Sequence, residues 1–235
     1  MFNNITSKKV YEQVIEQIQE KIFYGEFKNG DKLPSERELS EQMGVSRTSI
    51  REALRVLETM GVVESRQGEG NFICSNVNKS LIEPLSLIFK LNNGSWEDVI
   101  ELRQALELET VKFASKRVTK EEADEMKFII NKMEEEINNQ NRNEILVNLD
   151  QKFHNKIASI SKNYLIECLF LTSSNLFEEF IDDARRKIVN KYSDERVLLN
   201  QHKEIYNAII SNDSNLAYKK MEEHMNLIKE NYKEK

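Results

Sequence analysis

Ser35-Glu36-Arg37-Glu38-Leu39-Ser40-Glu41-Gln42-Met43-Gly44-Val45-Ser46-Arg47-Thr48-Ser49-Ile50-Arg51-Glu52-Ala53-Leu54 is the stretch that decides the fold. Ser35 followed three residues later by Glu38 is a capping box, in which hydroxyl and carboxylate each satisfy a free backbone N–H at a helix start. The helix it opens, about 36–43, stops at Gly44, a residue suited to positive φ at a helix end. Ser46 caps the next helix, which continues to about Met60 and ends at Gly61. Two helices joined by three or four residues around a glycine make a helix-turn-helix. Upstream, Val10, Val14, Ile18 and Ile22 recur every four residues and give a first helix one apolar stripe. The chain then turns through Gly25, Asn29-Gly30 and Asp31 before Leu33-Pro34-Ser35. Downstream, Val62-Val63-Glu64-Ser65 and Asn71-Phe72-Ile73 around Gln67-Gly68-Glu69-Gly70 read as a β-hairpin. Residues 1–76 are therefore expected to form a winged helix-turn-helix domain.

The remainder reads differently. Six of the seven glycines precede residue 71, the seventh is Gly94, and Pro34 and Pro84 are the only prolines. From Ser95 to Lys235 neither helix-punctuating residue occurs, which predicts nearly continuous helix with short polar connections. Period 3.6 and cap signals place seven helices at about 78–91, 95–116, 119–139, 143–160, 163–189, 193–211 and 213–232. Ser95 with Asp98 and Thr119 with Glu122 are capping boxes, and Asp213 is the N-cap of the last helix. The break falls near Ser75–Ser80, where SNVNKS is polar and aperiodic. The fold class is thus mainly α: a winged helix-turn-helix, then an antiparallel bundle of about seven helices over 77–235.

Composition narrows the function. Of 235 residues, 39% are hydrophobic and 31% charged, with 34 Lys+Arg against 40 Asp+Glu for a net charge of −6. Nowhere do about 18 consecutive apolar residues occur, so no transmembrane helix is expected. The opening MFNNITSKKVYEQ lacks the apolar stretch of a signal peptide. Cys74 and Cys168, far apart, make no disulfide framework and suit the reducing cytoplasm. Residues 1–76 carry 10 basic and 12 acidic groups, so nucleic-acid binding has to rest on local residues rather than on bulk charge.

The third helix supplies such residues. Ile50, Leu54 and Leu57 form its buried stripe, while Arg47, Arg51 and Arg55 fall at i, i+4 and i+8 on a neighbouring face. Ser46, Thr48 and Ser49 sit at its start. A recognition helix presents its N-terminal residues to base edges in the major groove, where arginine pairs bidentately with guanine and hydroxyls suit phosphates. The three arginines are equally compatible with a solvated face beside Glu52 and Glu58. The turn glycine, the caps and the Gly-x-Gly hairpin, in that order, favour DNA.

The second part carries all three histidines. His154 lies four residues after Asp150, so both project from one helix face. His202 and His224 belong to the sixth and seventh bundle helices, which can converge on the fourth. Three imidazoles and a carboxylate suit Zn²⁺ or a similar divalent ion, although scattered histidines also serve as surface or satisfied core residues. Arg103 has possible ion-pair partners in Glu101, Glu107 and Glu109, and is equally suited to gripping a carboxylate. Ser173, Ser174 and Asn175 interrupt an apolar run and either line a polar pocket or ease helix packing.

Three spaced motifs, Leu33 to Ser40, Val45 to Leu54 and Arg66-Gln67-Gly68-Glu69-Gly70, resemble the GntR family of bacterial transcription regulators over about residues 8–74. The resemblance implies that Arg37, Arg47 and Arg51 contact DNA, with Ser46 and Ser49 at phosphate and base and Gly68 at the wing tip entering the minor groove. Asp150-Gln151-Lys152-Phe153-His154, Asn200 to Ile205, Glu223-His224-Met225 and Glu101 to Glu107 are similar to the FCD effector domain of the FadR subfamily. That likeness covers roughly 78–232. It implies that Asp150, His154, His202 and His224 hold a divalent metal, zinc first among the candidates, and that Arg103 approaches an acidic effector. The implied partners are a two-fold operator in double-stranded DNA, a small carboxylate and a second copy of the chain, with no membrane. The implied function is a ligand-responsive transcription regulator, a repressor of a carboxylate or sugar-acid operon. A metal-dependent hydrolase and a metal-free helical interaction protein are the alternatives. The hydrolase lacks an obvious general base near the histidines and has no use for a DNA-binding domain.

Overall fold

The computed structural model of the chain describes residues 8–74, 79–139, 143–194 and 196–233. Along the described residues run α1 (Val10–Phe23), α2 (Glu36–Met43), α3 (Arg47–Thr59), β1 (Val63–Arg66), β2 (Gly70–Ile73), α4 (Lys79–Leu91), α5 (Trp96–Arg117), α6 (Lys120–Asn138), α7 (Asn143–Ile160), α8 (Tyr164–Tyr192), α9 (Arg196–Ile210) and α10 (Ser214–Lys233). Packing divides the chain into two compact units, 1–84 and 85–235, with the division inside α4. No helix among the described residues is long and apolar enough to cross a membrane.

In the first unit the local signals act as the sequence predicts. The Ser35 hydroxyl accepts the Glu38 N–H at 3.2 Å, and the Glu38 carboxylate accepts the Ser35 N–H at 2.8 Å. Gly44 ends α2 in the left-handed region at φ 64°, where an added Cβ would be strained. Val14, Ile18, Leu39, Ile50, Ala53, Leu54, Leu57, Val63 and Ile73 form one buried core. Val10, first residue of α1, is exposed and Ile22 half-buried, so the predicted stripe is buried only in its middle. Losing the Ser35 cap through Ser35→Ala should cost about 1 kcal/mol. Faster amide exchange across Glu36–Met43 would register that loss, and unchanged exchange would contradict it.

The wing is an antiparallel pair with Val63 opposite Ile73 and Arg66 opposite Gly70. Its far edge holds a contact the sequence does not announce. Lys32 bridges to Phe72. The Leu33 N–H donates to the Asn71 carbonyl at 2.8 Å, the Ile73 N–H to the Asp31 carbonyl at 2.8 Å, and the Gly30 N–H to the Ile73 carbonyl at 3.0 Å. The turn ahead of α2 is thereby stitched to the wing as a short third strand.

In the second unit, α5 packs against α7, α8, α9 and α10, while α6 lies on α7 and α9. The capping boxes at Ser95/Asp98 and Thr119/Glu122 form, and the Asp213 carboxylate accepts the Asn215 and Leu216 N–H groups. The fifth bundle helix, α8, runs three residues past its expected end and stops where Ser193 turns to φ 51°. Ile100, Val111, Met126, Phe153, Ile157, Ile205, Met221 and Met225 belong to the core. On α5 the buried face reads Ile100, Arg103, Glu107, Val111, Ala114. Two charges thus stand where apolar residues are expected, which marks the site within the bundle.

Candidate nucleic-acid interface and metal centre

The capped start of α3 presents the nucleic-acid candidates. Ser46 is its N-cap; its hydroxyl accepts the Ser49 N–H at 3.1 Å and lies 3.0 Å from the Ser49 hydroxyl. Arg47, Thr48 and Arg51 are exposed, as are Arg37 on α2 and Gly68 in the hairpin turn. An α-helix N-terminus with hydroxyls and free backbone N–H groups is a ready anion site. Two of the arginines are already engaged: Arg37 Nε with Glu41 at 2.9 Å, and Arg51 Nε with Glu36 at 2.7 Å across from α2. Both pairs are largely exposed and add little to stability, so phosphate or a base can displace or share them. Among the described residues Arg47 and Arg55 make no ion pair. The Arg51–Glu36 link is absent from the sequence reading, because fifteen residues separate its partners.

The four metal candidates come together. His154, His202 and His224, on three helices, offer nitrogen atoms within 4.8 Å of one another, with ring centroids 4.9–5.3 Å apart. Asp150 joins them, Oδ1 3.3 Å from His202 Nε2 and Oδ2 3.9 Å from His154 Nε2. All four are buried. His154 Nε2, both His202 nitrogens, His224 Nε2 and Asp150 Oδ2 make no hydrogen bond to the protein. Buried polar atoms are rarely left so, and a cluster of nitrogen lone pairs beside one carboxylate oxygen is the donor set of a divalent ion such as zinc.

The remaining nitrogens are held from outside. His154 Nδ1 donates to the Glu107 carboxylate, and His224 Nδ1 donates to the Gln201 side-chain carbonyl at 2.9 Å. Arg103 is 1% exposed; its Nε donates to Glu107 at 2.6 Å, and Nη2 lies 3.5 Å from Asp150 Oδ2. Of the three glutamates near Arg103 in sequence, only Glu107 pairs with it, in the interior rather than at the surface; Glu109 pairs with Lys112. Glu107 as the partner of His154, Gln201 and the buried Arg185 are residues the sequence reading missed. For Glu107 a signal existed, since Arg103 and Glu107 are four apart on an otherwise apolar helix face. Ser173 is buried on α8; the side chains of Ser174 and Asn175 lie outside the described residues.

Burial pushes the His202 and His224 imidazoles below their ordinary value, His224 well below it, with neighbouring histidines adding to both. Burial works to raise Asp150, but its contact with His202 and the proximity of His154 and the Arg103 guanidinium outweigh it and hold the carboxyl well below the carboxylate range. Imidazoles that stay neutral in the folded chain bind fewer protons than in the unfolded chain. Folded stability from them is fully present above the ordinary value of 6.5 and is lost as pH falls below it toward the folded values. The metal-free protein should therefore unfold at lower temperature as pH drops from about 7 to about 5. A midpoint that rises on acidification would contradict this.

Against this geometry stand the known proteins. Residues 10–73 match the model of bacterial regulatory proteins of the gntR family, and residues 98–227 match the FCD domain. The chain is 31% identical to the HTH-type transcriptional regulator LutR of Bacillus subtilis over 86% of its length and 91% of LutR. It is 30% identical to the Uxu operon regulator of Haemophilus influenzae, covering 94% of this chain and 81% of that protein. With the Glc operon transcriptional activator of Escherichia coli K12 it shares 26% identity over 95% and 89% of the two chains. Among solved structures, a Streptococcus agalactiae GntR protein superposes with a TM-score of 0.72 at 26% identity, over 94% of this chain and all of that one. These relatives are regulators, not enzymes, which removes the hydrolase alternative. The chain belongs to the GntR family of transcription regulators, a GntR helix-turn-helix domain followed by an FCD domain.

Proposed function

We propose that the chain is a ligand-responsive regulator whose operator affinity is set by a small carboxylate bound beside a divalent metal. In this reading the 1–76 domain reads DNA through Ser46, Arg47, Thr48, Ser49 and Arg51 of α3 and its cap, assisted by Arg37 and by Gly68 at the wing. The 77–235 domain holds the metal, zinc first among the candidates, with Asp150, His154, His202 and His224. Convergence of those four buried residues from three helices, with Arg103 Nη2 3.5 Å from Asp150 Oδ2, is the observation that carries the reading. A bound ion would supply a fixed positive charge for an incoming carboxylate, and Arg103 a directed hydrogen-bond donor. Support comes from two of the relatives, the Uxu operon regulator and the Glc operon transcriptional activator. A repressor of a carboxylate or sugar-acid operon is the corresponding role for this chain.

The cleft beside Asp150, bounded by Arg103, Arg185, His224 and Ile228, offers about 10 Å³ of water-accessible space. That is room for about one water, less than any organic acid needs. In this reading the side chains that line the cleft shift to admit the effector, and an acid that binds the widened form shifts the population toward it. The reading is tested by the metal content of the purified protein together with operator binding, with and without lactate, pyruvate, a sugar acid and a dicarboxylate. Metal-free protein that binds its operator identically under every acid would overturn it.

A two-fold operator read by a homodimer belongs to the same proposal. One winged helix offers a small contact surface, and pairing two raises affinity through effective concentration. Light scattering at operator-binding concentrations should give the mass of two chains, and a monomer would contradict it.

A further inference from the structure

Glu107 is a buried carboxylate, 2% exposed, whose two oxygens serve two different residues. One accepts the His154 Nδ1–H, and the other accepts the Arg103 Nε–H at 2.6 Å. We propose that Glu107 is the positioning residue that ties the metal centre to the effector-binding guanidinium, fixing His154 with its proton on Nδ1 while aiming Arg103 Nη2 toward Asp150. The proposal rests on the metal and effector reading above and says how its two halves are joined.

The chemistry follows from the acceptor. A carboxylate can only accept, so the imidazole it touches must carry its proton on the near nitrogen and turn a bare Nε2 toward His202 and His224. The same contact raises the basicity of the ring and strengthens it as a ligand. His224 has a neutral amide, Gln201, in this place, and His202 faces Asp150 directly. Among the described residues His154 is thus the histidine whose outward nitrogen meets a carboxylate. Arg103 uses Nε on Glu107, which leaves Nη2, 3.5 Å from Asp150, turned into the cleft. Because both contacts hang on one planar group, rotating the carboxylate to follow Arg103 also turns its bond to His154. A carboxylate ligand that draws Arg103 away therefore perturbs a metal ligand. By reciprocity, metal and effector must change each other's affinity by one factor.

The test uses the full chain, with Co²⁺ as the probe metal and two variants. Glu107→Gln removes the charge but keeps an acceptor, whereas Glu107→Asp keeps the charge and withdraws it from both partners. Positioning predicts that both variants bind Co²⁺ about 10–100-fold more weakly with a shifted visible spectrum. Full Co²⁺ affinity in Glu107→Asp would overturn the role while leaving the metal centre standing. A parent chain that binds no Co²⁺ would overturn both. A second measurement does not depend on how the variants fold. In the metal-free parent chain, two-bond ¹H–¹⁵N spectra, assigned with His154→Gln, should show His154 protonated at Nδ1 and bare at Nε2. The opposite tautomer would overturn the proposal.

Discussion

A His202→Ala protein should bind a divalent metal roughly a hundred- to a thousand-fold more weakly than the parent chain, since about 10–16 kcal/mol of zinc binding divided among four ligands is on the order of 3 kcal/mol each. His202 is the informative position. It sits on α9, apart from the Asp150–His154 pair on α7, and neither of its ring nitrogens makes a hydrogen bond to the protein. Its removal gives up the 3.3 Å contact with Asp150 but leaves the Arg103–Glu107–His154 links in place, unlike loss of His154, which would strand Glu107. The variant should keep its operator affinity, because the DNA-contacting candidates all lie in the other unit. Its response to a carboxylate effector should fall with its metal occupancy. Competition with a chromophoric chelator gives the metal affinity, and operator titration with and without acid gives the response. Full metal content with a normal response would place the ion elsewhere.

Arg47→Ala or Arg51→Ala should weaken binding to the preferred operator by about 1–3 kcal/mol, roughly 5- to 150-fold, if the side chain pairs with a guanine edge. The two arginines are distinguished by their neighbours. Arg51 gives its Nε to Glu36, a bond that does not use the Nη groups of its exposed side chain, and arginine can pair bidentately with guanine O6 and N7. Arg47, at the first position of α3, has no such partner and lies where phosphates approach a helix N-terminus. Base reading by Arg51 predicts that its loss relaxes specificity at one position of the half-site. A phosphate role for Arg47 predicts uniform weakening across sequences and a shallower salt dependence. Titrations on operator and scrambled duplexes at several salt concentrations separate the two, and unchanged affinity in both variants would remove α3 from the interface.

The parts of this protein that were legible in its sequence are those fixed by neighbours three or four residues apart. Ser35 with Glu38, Ser46, Ser95 with Asp98, Thr119 with Glu122 and Asp213 each set a helix start through a bond to a nearby backbone N–H. Asp150 and His154 share a face for the same local reason. What was not legible spans larger separations. The Glu107–His154 bond joins residues 47 apart and the Gln201–His224 bond residues 23 apart, and both depend on how helices register in the bundle. Arg103 was ambiguous because three glutamates lay within reach, and only burial of one helix face selects Glu107. The Lys32–Phe72 bridge escaped because a single bridging residue leaves no alternating pattern to read.

That bridge has a mechanical consequence. Hydrogen bonds from Gly30, Leu33 and Ile73 clamp the approach to α2 onto β2, and Val63 and Ile73 anchor the hairpin in the same core as Ile50 and Leu57 of α3. Helix α3 and the wing are thus held in one core and share one set of backbone hydrogen bonds with the approach to α2. Altering the spacing of helix and wing would require breaking these hydrogen bonds and the shared core together. In the proposed function, sequence preference would then be written in the side chains of this unit, and sensitivity to ligand would be written outside it.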